Sequence, residues 1–71
     1  MRTFYTEQSE RILSLEYEDE VGVLRVTFKR GGVYEYYQVP SEVYDGLVIA
    51  QSLGKAFNES VKGIYNFKKI L

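Results

Sequence analysis

The segment from Ser52 to Asn58 carries the residue types best suited to binding chemistry. It reads Ser-Leu-Gly-Lys-Ala-Phe-Asn, so Gly54 and Lys55 closely follow the serine. If a helix begins here, its first N–H groups, its dipole and the lysine all favour an anion such as phosphate. The amide of Asn58 can contact a base edge or cap a backbone group. The alternative is a capped connector between two helices, in which Gly54 permits close packing, and the sequence favours the two almost equally.

Charge is distributed unevenly along the chain. Residues 1–51 carry five basic and nine acidic side chains, whereas residues 52–71 carry four lysines and one glutamate. Lys62 and Lys69 can therefore extend an anion site around Lys55. A solvated surface of mixed charge is the simpler interpretation and is favoured. The total charge of −1 argues against a strongly basic nucleic-acid-binding protein.

Two tyrosines on one predicted strand form a second candidate site. Tyr34 and Tyr36 lie two residues apart and share a face of that strand. Such a pair can stack bases, and Arg25 and Lys29 on the neighbouring strand can contact phosphate. Aromatic residues on a central strand more often pack under helices, so we expect at least one of the pair in the core. A slip of one residue in register would exchange the two faces.

Catalytic and metal-binding chemistry has little support. The chain has no histidine and no cysteine, which removes the usual general base, the thiol nucleophile and the zinc ligands. The acidic run at residues 18–20 lacks the glycine and the distant glutamate of a calcium loop. Gly31 and Gly32, beside two basic residues, can cradle a phosphate, but a tight hairpin turn is favoured. We predict no enzyme activity, no cofactor and no metal site.

Hydrophobic periodicity predicts three strands in the first half of the chain. Residues 12–17, 23–29 and 33–39 alternate between apolar and polar positions, which is typical of half-buried strands. The third strand must stop at Pro40, because proline cannot donate to a sheet ladder. The predicted core face of the first two strands consists of Leu13, Leu15, Leu24, Val26 and Phe28.

The second half of the chain reads mainly as helix. Ser41 is predicted to cap a helix over residues 42–50, where apolar side chains recur every three or four positions. Ser52 is predicted to cap a second short helix, which Gly63 ends. Residues 64–70 alternate again as a final strand. The order β-β-β-α-α-β predicts an α+β domain: an antiparallel meander, two short helices and a C-terminal strand.

Residues 1–71 are expected to form a single domain, because the chain is too short for two. Residues 1–9 are interpreted as an N-terminal extension that is either frayed or paired at a sheet edge. No signal peptide or apolar span is recognisable, which predicts a soluble cytoplasmic protein without a membrane partner. A homo-oligomer is one common remedy for so small a core, and the sequence leaves the oligomeric state open.

Four segments together resemble the KTSC domain family. They are Gly32–Pro40, Leu47, Ala50–Asn58 and Lys62–Tyr65, within a similarity that covers roughly residues 9–70. The family is named from a segment at the C-terminus of some lysyl-tRNA synthetases and also occurs as small stand-alone proteins of bacteria and phages. The resemblance implies RNA binding only by analogy with the synthetase, and it implies no catalytic residue.

Two functions of different classes follow from the sequence. The first is a non-catalytic module that binds RNA or a free nucleotide, with sequestration of a host signalling nucleotide as one use in a phage. The second is a protein-interaction module with exposed tyrosines as anchors. The two differ in salt dependence, because contacts to phosphate weaken steeply as salt rises.

Overall fold

The computed structural model describes residues 1–71 as one antiparallel sheet with two helices. Each strand pairs with the next in sequence, so the order across the sheet is β1-β2-β3-β4-β5. The α+β prediction of an antiparallel meander, two helices and a final strand is confirmed. The elements are β1 (Arg2–Tyr5), β2 (Ile12–Glu18), β3 (Val23–Phe28), β4 (Val33–Tyr36), α1 (Ser41–Ile49), α2 (Leu53–Ser60) and β5 (Phe67–Lys69).

The N-terminal extension contains a strand, β1, which the sequence analysis did not resolve. It pairs antiparallel with β2, placing Arg2 opposite Tyr17 and Phe4 opposite Leu15. Phe4 is half-buried and packs against the core. Of the two alternatives for residues 1–9, frayed or paired at a sheet edge, the structure shows the second for Arg2–Tyr5. The four residues of β1, Arg-Thr-Phe-Tyr, do not alternate strictly between polar and apolar types, so periodicity did not identify this strand.

Both helices pack on one face of the sheet and enclose a single core. Side chains of β2, β3, β4, α1 and α2 contribute to it, and aromatic rings join the two layers. The ring of Phe57 on α2 lies 5.4 Å from that of Tyr36 and 5.7 Å from that of Phe28, both in edge-to-face geometry. The buried apolar residues are Ile12, Leu15, Tyr17, Leu24, Val26, Tyr36, Val39, Tyr44, Leu47, Leu53, Phe57 and Val61.

Leu13 was wrongly assigned to the core face. Its side chain is 45% exposed, whereas Ile12 is 1% exposed and fills the core position. The cause is an irregularity in the β2–β3 pairing between Ile12 and Ser14, where the register shifts by one residue. A bulge of this kind breaks strict alternation, so a period of two assigns the wrong residue to the core.

The link between sheet and helices also differs from the prediction. Strand β4 ends at Tyr36 rather than Val39, and Gln38 adopts a positive φ of 57°. The α1 helix starts one residue earlier than expected because the Val43 N–H donates to the carbonyl of Pro40. Pro40 is therefore the N-cap residue, and the predicted role of Ser41 as the cap is wrong.

The other predicted signals lie close to their expected places. Ser52 caps α2, since its hydroxyl accepts the Lys55 N–H at 3.3 Å. Gly31 and Gly32 form the β3–β4 turn with φ of 142° and 90°. A Cβ at Gly32 would lie 2.0 Å from the Leu71 carbonyl oxygen, so only glycine fits there. The final strand β5 is shorter than residues 64–70.

Candidate functional site

A groove runs between the first half of α2, the end of α1 and the connection from β1 to β2. Its volume is about 690 Å³. It brings together four of the predicted site residues, namely Ser52, Gly54, Lys55 and Asn58. The opposite wall is formed by the 6–11 segment, in which Thr6, Gln8, Ser9, Glu10 and Arg11 line the groove.

The start of α2 presents free backbone donors to this groove. The Ser52 hydroxyl already accepts the Lys55 N–H, and the Ser52 carbonyl accepts the Ala56 N–H at 3.0 Å. The N–H groups of Leu53 and Gly54 have no acceptor in the protein. Unbonded donors at a helix N-terminus, together with the helix dipole, favour an anion.

Gly54 does not serve close packing. No atom lies within 4 Å of the position that a Cβ would occupy there. The alternative interpretation is therefore confirmed in one part and wrong in the other: Ser52 caps the connection between the two helices, but Gly54 does not allow close packing there. The glycine leaves the backbone at the start of α2 open to the groove.

The charges that line the groove are balanced. Arg11 and Lys55 are the cations, and Glu10 and Glu59 are the carboxylates. All four side chains belong to exposed residues, and none of them forms an ion pair. The two cations are therefore available to a ligand, although the local field is weaker than in a wholly basic pocket.

A second cleft of about 530 Å³ adjoins the groove and shares Glu10 and Arg11 with it. Its remaining wall is Phe28, Lys29 and Arg30. The Lys29 N–H donates to the Arg11 carbonyl at 2.8 Å and ties the two turns together. Sequence reasoning missed Arg11. The signal was available, since connections in an antiparallel meander alternate between ends and place 6–11 beside 29–32.

Arg25 lies elsewhere and is neutralised. Its guanidinium contacts Glu35 at 2.8 Å and Glu16 at 3.4 Å across the sheet face that no helix covers. The hydrogen bond from Arg25 holds the pKa of Glu35 below its ordinary value, and the Tyr37 hydroxyl, which also donates to it, acts in the same direction. Arg25 has no role in the groove and does not face Tyr34.

The tyrosine pair faces the helices. Tyr36 is 5% exposed, and this burial raises the pKa of its hydroxyl. No ring face of Tyr36 is available for a base, so the expectation that at least one of the pair is in the core is confirmed. Tyr34 is half-buried and lies opposite Val26 on one side and Lys69 on the other.

The two remaining predicted lysines do not line the groove. Lys62 is exposed just beyond the end of α2. The side chain of Lys69 passes over Gly32, because its Cε would lie 3.1 Å from a Cβ built on that glycine. Lys69 thus lies next to Gly32 in the 29–32 turn, and it does not line the second cleft.

The acidic run at residues 18–20 is at the other end of the sheet. Asp19 contacts Arg2 at 2.8 Å, and Glu18 contacts the α-amino group of Met1 at 3.3 Å. These carboxylates neutralise cations of the same chain. The structure contains no group of three or more acidic side chains arranged to hold a metal. It also contains no helix with the length and apolarity to span a membrane.

Comparisons with family models, protein sequences and solved structures agree with one another. The family model described as "KTSC domain" matches residues 8–65. A small uncharacterized protein of Stutzerimonas stutzeri is 44% identical over 78% of this chain and 78% of its own length. The crystal structure of a KTSC domain protein from Yersinia pestis is 30% identical and covers 99% of this chain and 97% of its own. The TM-score is 0.92.

A longer relative carries the same segment within a larger protein. A lysine–tRNA ligase of Nostoc punctiforme is 37% identical over 83% of this chain. The chain spans only 10% of the length of that ligase. The shared segment is therefore a small part of an enzyme in one case and most of a small protein in the other.

Proposed function

We propose that this chain, which belongs to the KTSC domain family, is a non-catalytic module that binds a phosphate-bearing ligand of the nucleotide type, either RNA or a free nucleotide. One observation carries the proposal. The groove at the start of α2 gathers Ser52, Gly54, Lys55 and Asn58 around two backbone N–H groups that no protein atom uses.

The groove suits such a ligand in chemistry and in size. A phosphate can accept hydrogen bonds from the N–H groups of Leu53 and Gly54, favoured by the positive end of the helix dipole. Lys55 and Arg11 supply charge on either side of it. The Asn58 amide offers both a donor and an acceptor to a base or a ribose. Sites for small ligands typically measure about 300–1,000 Å³, and this groove lies within that range.

The family context is compatible with an RNA or nucleotide ligand. A similar segment forms part of a protein named lysine–tRNA ligase, and a similar small protein stands alone. A stand-alone module that binds without reacting can sequester its ligand, which is the use we propose for a phage form. Such a ligand implies a cytoplasmic location.

The absence of histidine and cysteine supports a binding role rather than catalysis. The usual general base and the usual thiol nucleophile are therefore missing from the groove. Its donors are backbone N–H groups, an amide, a hydroxyl and two cations, which can hold a phosphate.

A charge reversal at Lys55 tests the proposal. Titration calorimetry with AMP, ATP and a short oligouridylate as probes should show roughly tenfold or greater loss of affinity in Lys55→Glu. Lys62→Glu is the matched control, because it makes the same charge change on an exposed residue outside the groove. In spectra of the unmutated protein, the amide resonances of Leu53 and Gly54 should shift on binding. Equal affinity of Lys55→Glu and the unmutated protein, or no binding of any probe, would refute the proposal.

A protein-interaction role is the second candidate, and the exposure of Tyr5 favours it. Its side chain is 74% exposed, and it pairs with Ser14 at the edge of the sheet. A second copy of the chain is the simplest partner, since a small core gains stability from assembly. Light scattering on the unmutated protein and on Tyr5→Ser tests this role. A monomer in both cases would count against it.

A further inference from the structure

We infer that the ligand is a single strand of nucleic acid long enough to occupy both clefts, and not a mononucleotide. This inference rests on the proposed function and extends it. The groove at α2 holds one nucleotide, and the neighbouring cleft formed by Glu10, Arg11, Phe28, Lys29 and Arg30 receives the next part of the strand.

The two clefts adjoin each other, and together they form the proposed path of the strand. Arg11 and Glu10 line both of them, so a strand that leaves the start of α2 passes these two residues before it reaches the 29–32 turn. The hydrogen bond from the Lys29 N–H to the Arg11 carbonyl holds the two turns in register. A second bond, from the Phe28 N–H to the Gly32 carbonyl at 2.9 Å, closes the turn itself. The path is therefore built on fixed backbone and not on a loose loop.

The charge along both clefts together is net positive, because four cations line them against the two carboxylates of Glu10 and Glu59. Arg11, Lys29, Arg30 and Lys55 are all exposed, and none of them contacts a carboxylate. The chain is not short of acidic partners, because it holds ten acidic residues against nine basic ones. The two remaining arginines, Arg2 and Arg25, are both paired. Cations left free in an acidic protein favour a polyanion.

Phe28 favours an unpaired base over a duplex. This residue lines the second cleft and is half-buried, and its ring is held by edge-to-face contacts with Tyr34, at 90°, and with Phe57, at 79°. In the proposed complex, Phe28 packs against a base that is splayed out of a stack, as aromatic residues do in single-strand sites. The bases of a duplex are stacked inside it and cannot reach a ring within a cleft.

Length dependence is the first test. Fluorescence anisotropy with oligouridylates of about 3, 6 and 9 nucleotides should show affinity that rises and then levels off near 6, with AMP as the short reference. A duplex of the same length should bind at least roughly tenfold more weakly. An oligomer that binds no more tightly than AMP, or a duplex that binds equally well, would overturn the inference while leaving the proposed function intact.

A double variant, Lys29→Gln with Arg30→Gln, is the second test, because both side chains line only the second cleft. It should weaken the oligomer about tenfold or more and lower the slope of log K against log salt by about 1 per lost phosphate contact. AMP affinity should be unchanged.

Lys62→Gln with Lys68→Gln is the matched control, since it removes the same charge from exposed residues outside both clefts. Equal effects of the two double variants on the oligomer would refute the inference. Circular dichroism confirms that each variant is folded. If neither AMP nor any oligomer binds the unmutated protein, the proposed function itself fails.

Discussion

Cationic groups form ion pairs at one end of the sheet and form none at the other. At one end, the β2–β3 turn and the α1 helix bring acidic side chains together, and Arg2 pairs with Asp19 and Asp45. At the other end, the 6–11 and 29–32 connections meet the start of α2, and the cations there have no carboxylate partner. Paired charge at the first end stabilises the fold, and unpaired charge at the second is available for a ligand.

The end with the β2–β3 turn and α1 is the acidic end, and Arg2 is held there by several contacts at once. Its Nε and one terminal nitrogen donate to the Asp19 carboxylate at 3.0 and 2.8 Å, and its other nitrogen donates to Asp45 at 2.8 Å. The guanidinium also lies over the rings of Tyr44, at 4.8 Å, and Tyr17, at 5.4 Å. It connects β1 to α1, and each of its three nitrogens donates a hydrogen bond within the chain.

Gly32→Ala should have the largest effect. It acts at the basic end, where the 6–11 and 29–32 connections meet the start of α2. A Cβ would meet the Leu71 carbonyl, and alanine disfavours a φ of 90°, so we expect a loss of about 2–3 kcal/mol in the free energy of unfolding. Urea denaturation measures it. Gly54→Ala is the matched control, because nothing lies within 4 Å of its Cβ position, and it should be neutral or slightly stabilising. If both variants lost the same free energy of unfolding, the loss would not come from the contact with Leu71 or from the backbone conformation at Gly32.

Arg2→Gln should have an intermediate effect confined to the acidic end. It removes the contacts with Asp19 and Asp45 and the cation over Tyr44, which should lower the melting temperature by less than Gly32→Ala does. Because Arg2 lines neither cleft, affinity for AMP should stay the same. A weaker affinity in a folded Arg2→Gln protein would show that the two ends are not independent.

Glu35→Gln should have the smallest effect and reports on the middle of the sheet. The pKa of Glu35 is held below its ordinary value of 4.5 by Arg25. The stabilising pair is therefore complete at neutral pH and is lost as pH falls through the lowered pKa. We expect a cost of about 0.5–1 kcal/mol at pH 7 that shrinks well below pH 4.5. Urea denaturation at pH 7 and well below pH 4.5 measures this cost. A cost that is independent of pH would contradict the role of the Glu35 carboxylate in the pair with Arg25.

Local signals predicted much of the fold. The Ser52 cap and the Gly31–Gly32 turn depend on neighbouring residues alone, and the structure has both. Strand β4 ends at Tyr36, three residues before the predicted end at Val39. Leu13 was placed wrongly because a bulge interrupts the alternation. The core position of Tyr36 depends on which face the helices cover, which a strand's own pattern does not state.

Part of the candidate site could likewise be predicted from local sequence, and part depended on the tertiary structure. The sequence by itself determined the start of α2, with Ser52, Gly54, Lys55 and Asn58, because helix initiation is encoded within a few residues. Only the tertiary structure brought Arg11 beside Lys29, separated Lys62 from the groove and neutralised Arg25. These outcomes depend on strand register and on the end of the sheet at which each connection lies, both of which are set by contacts between residues distant in sequence.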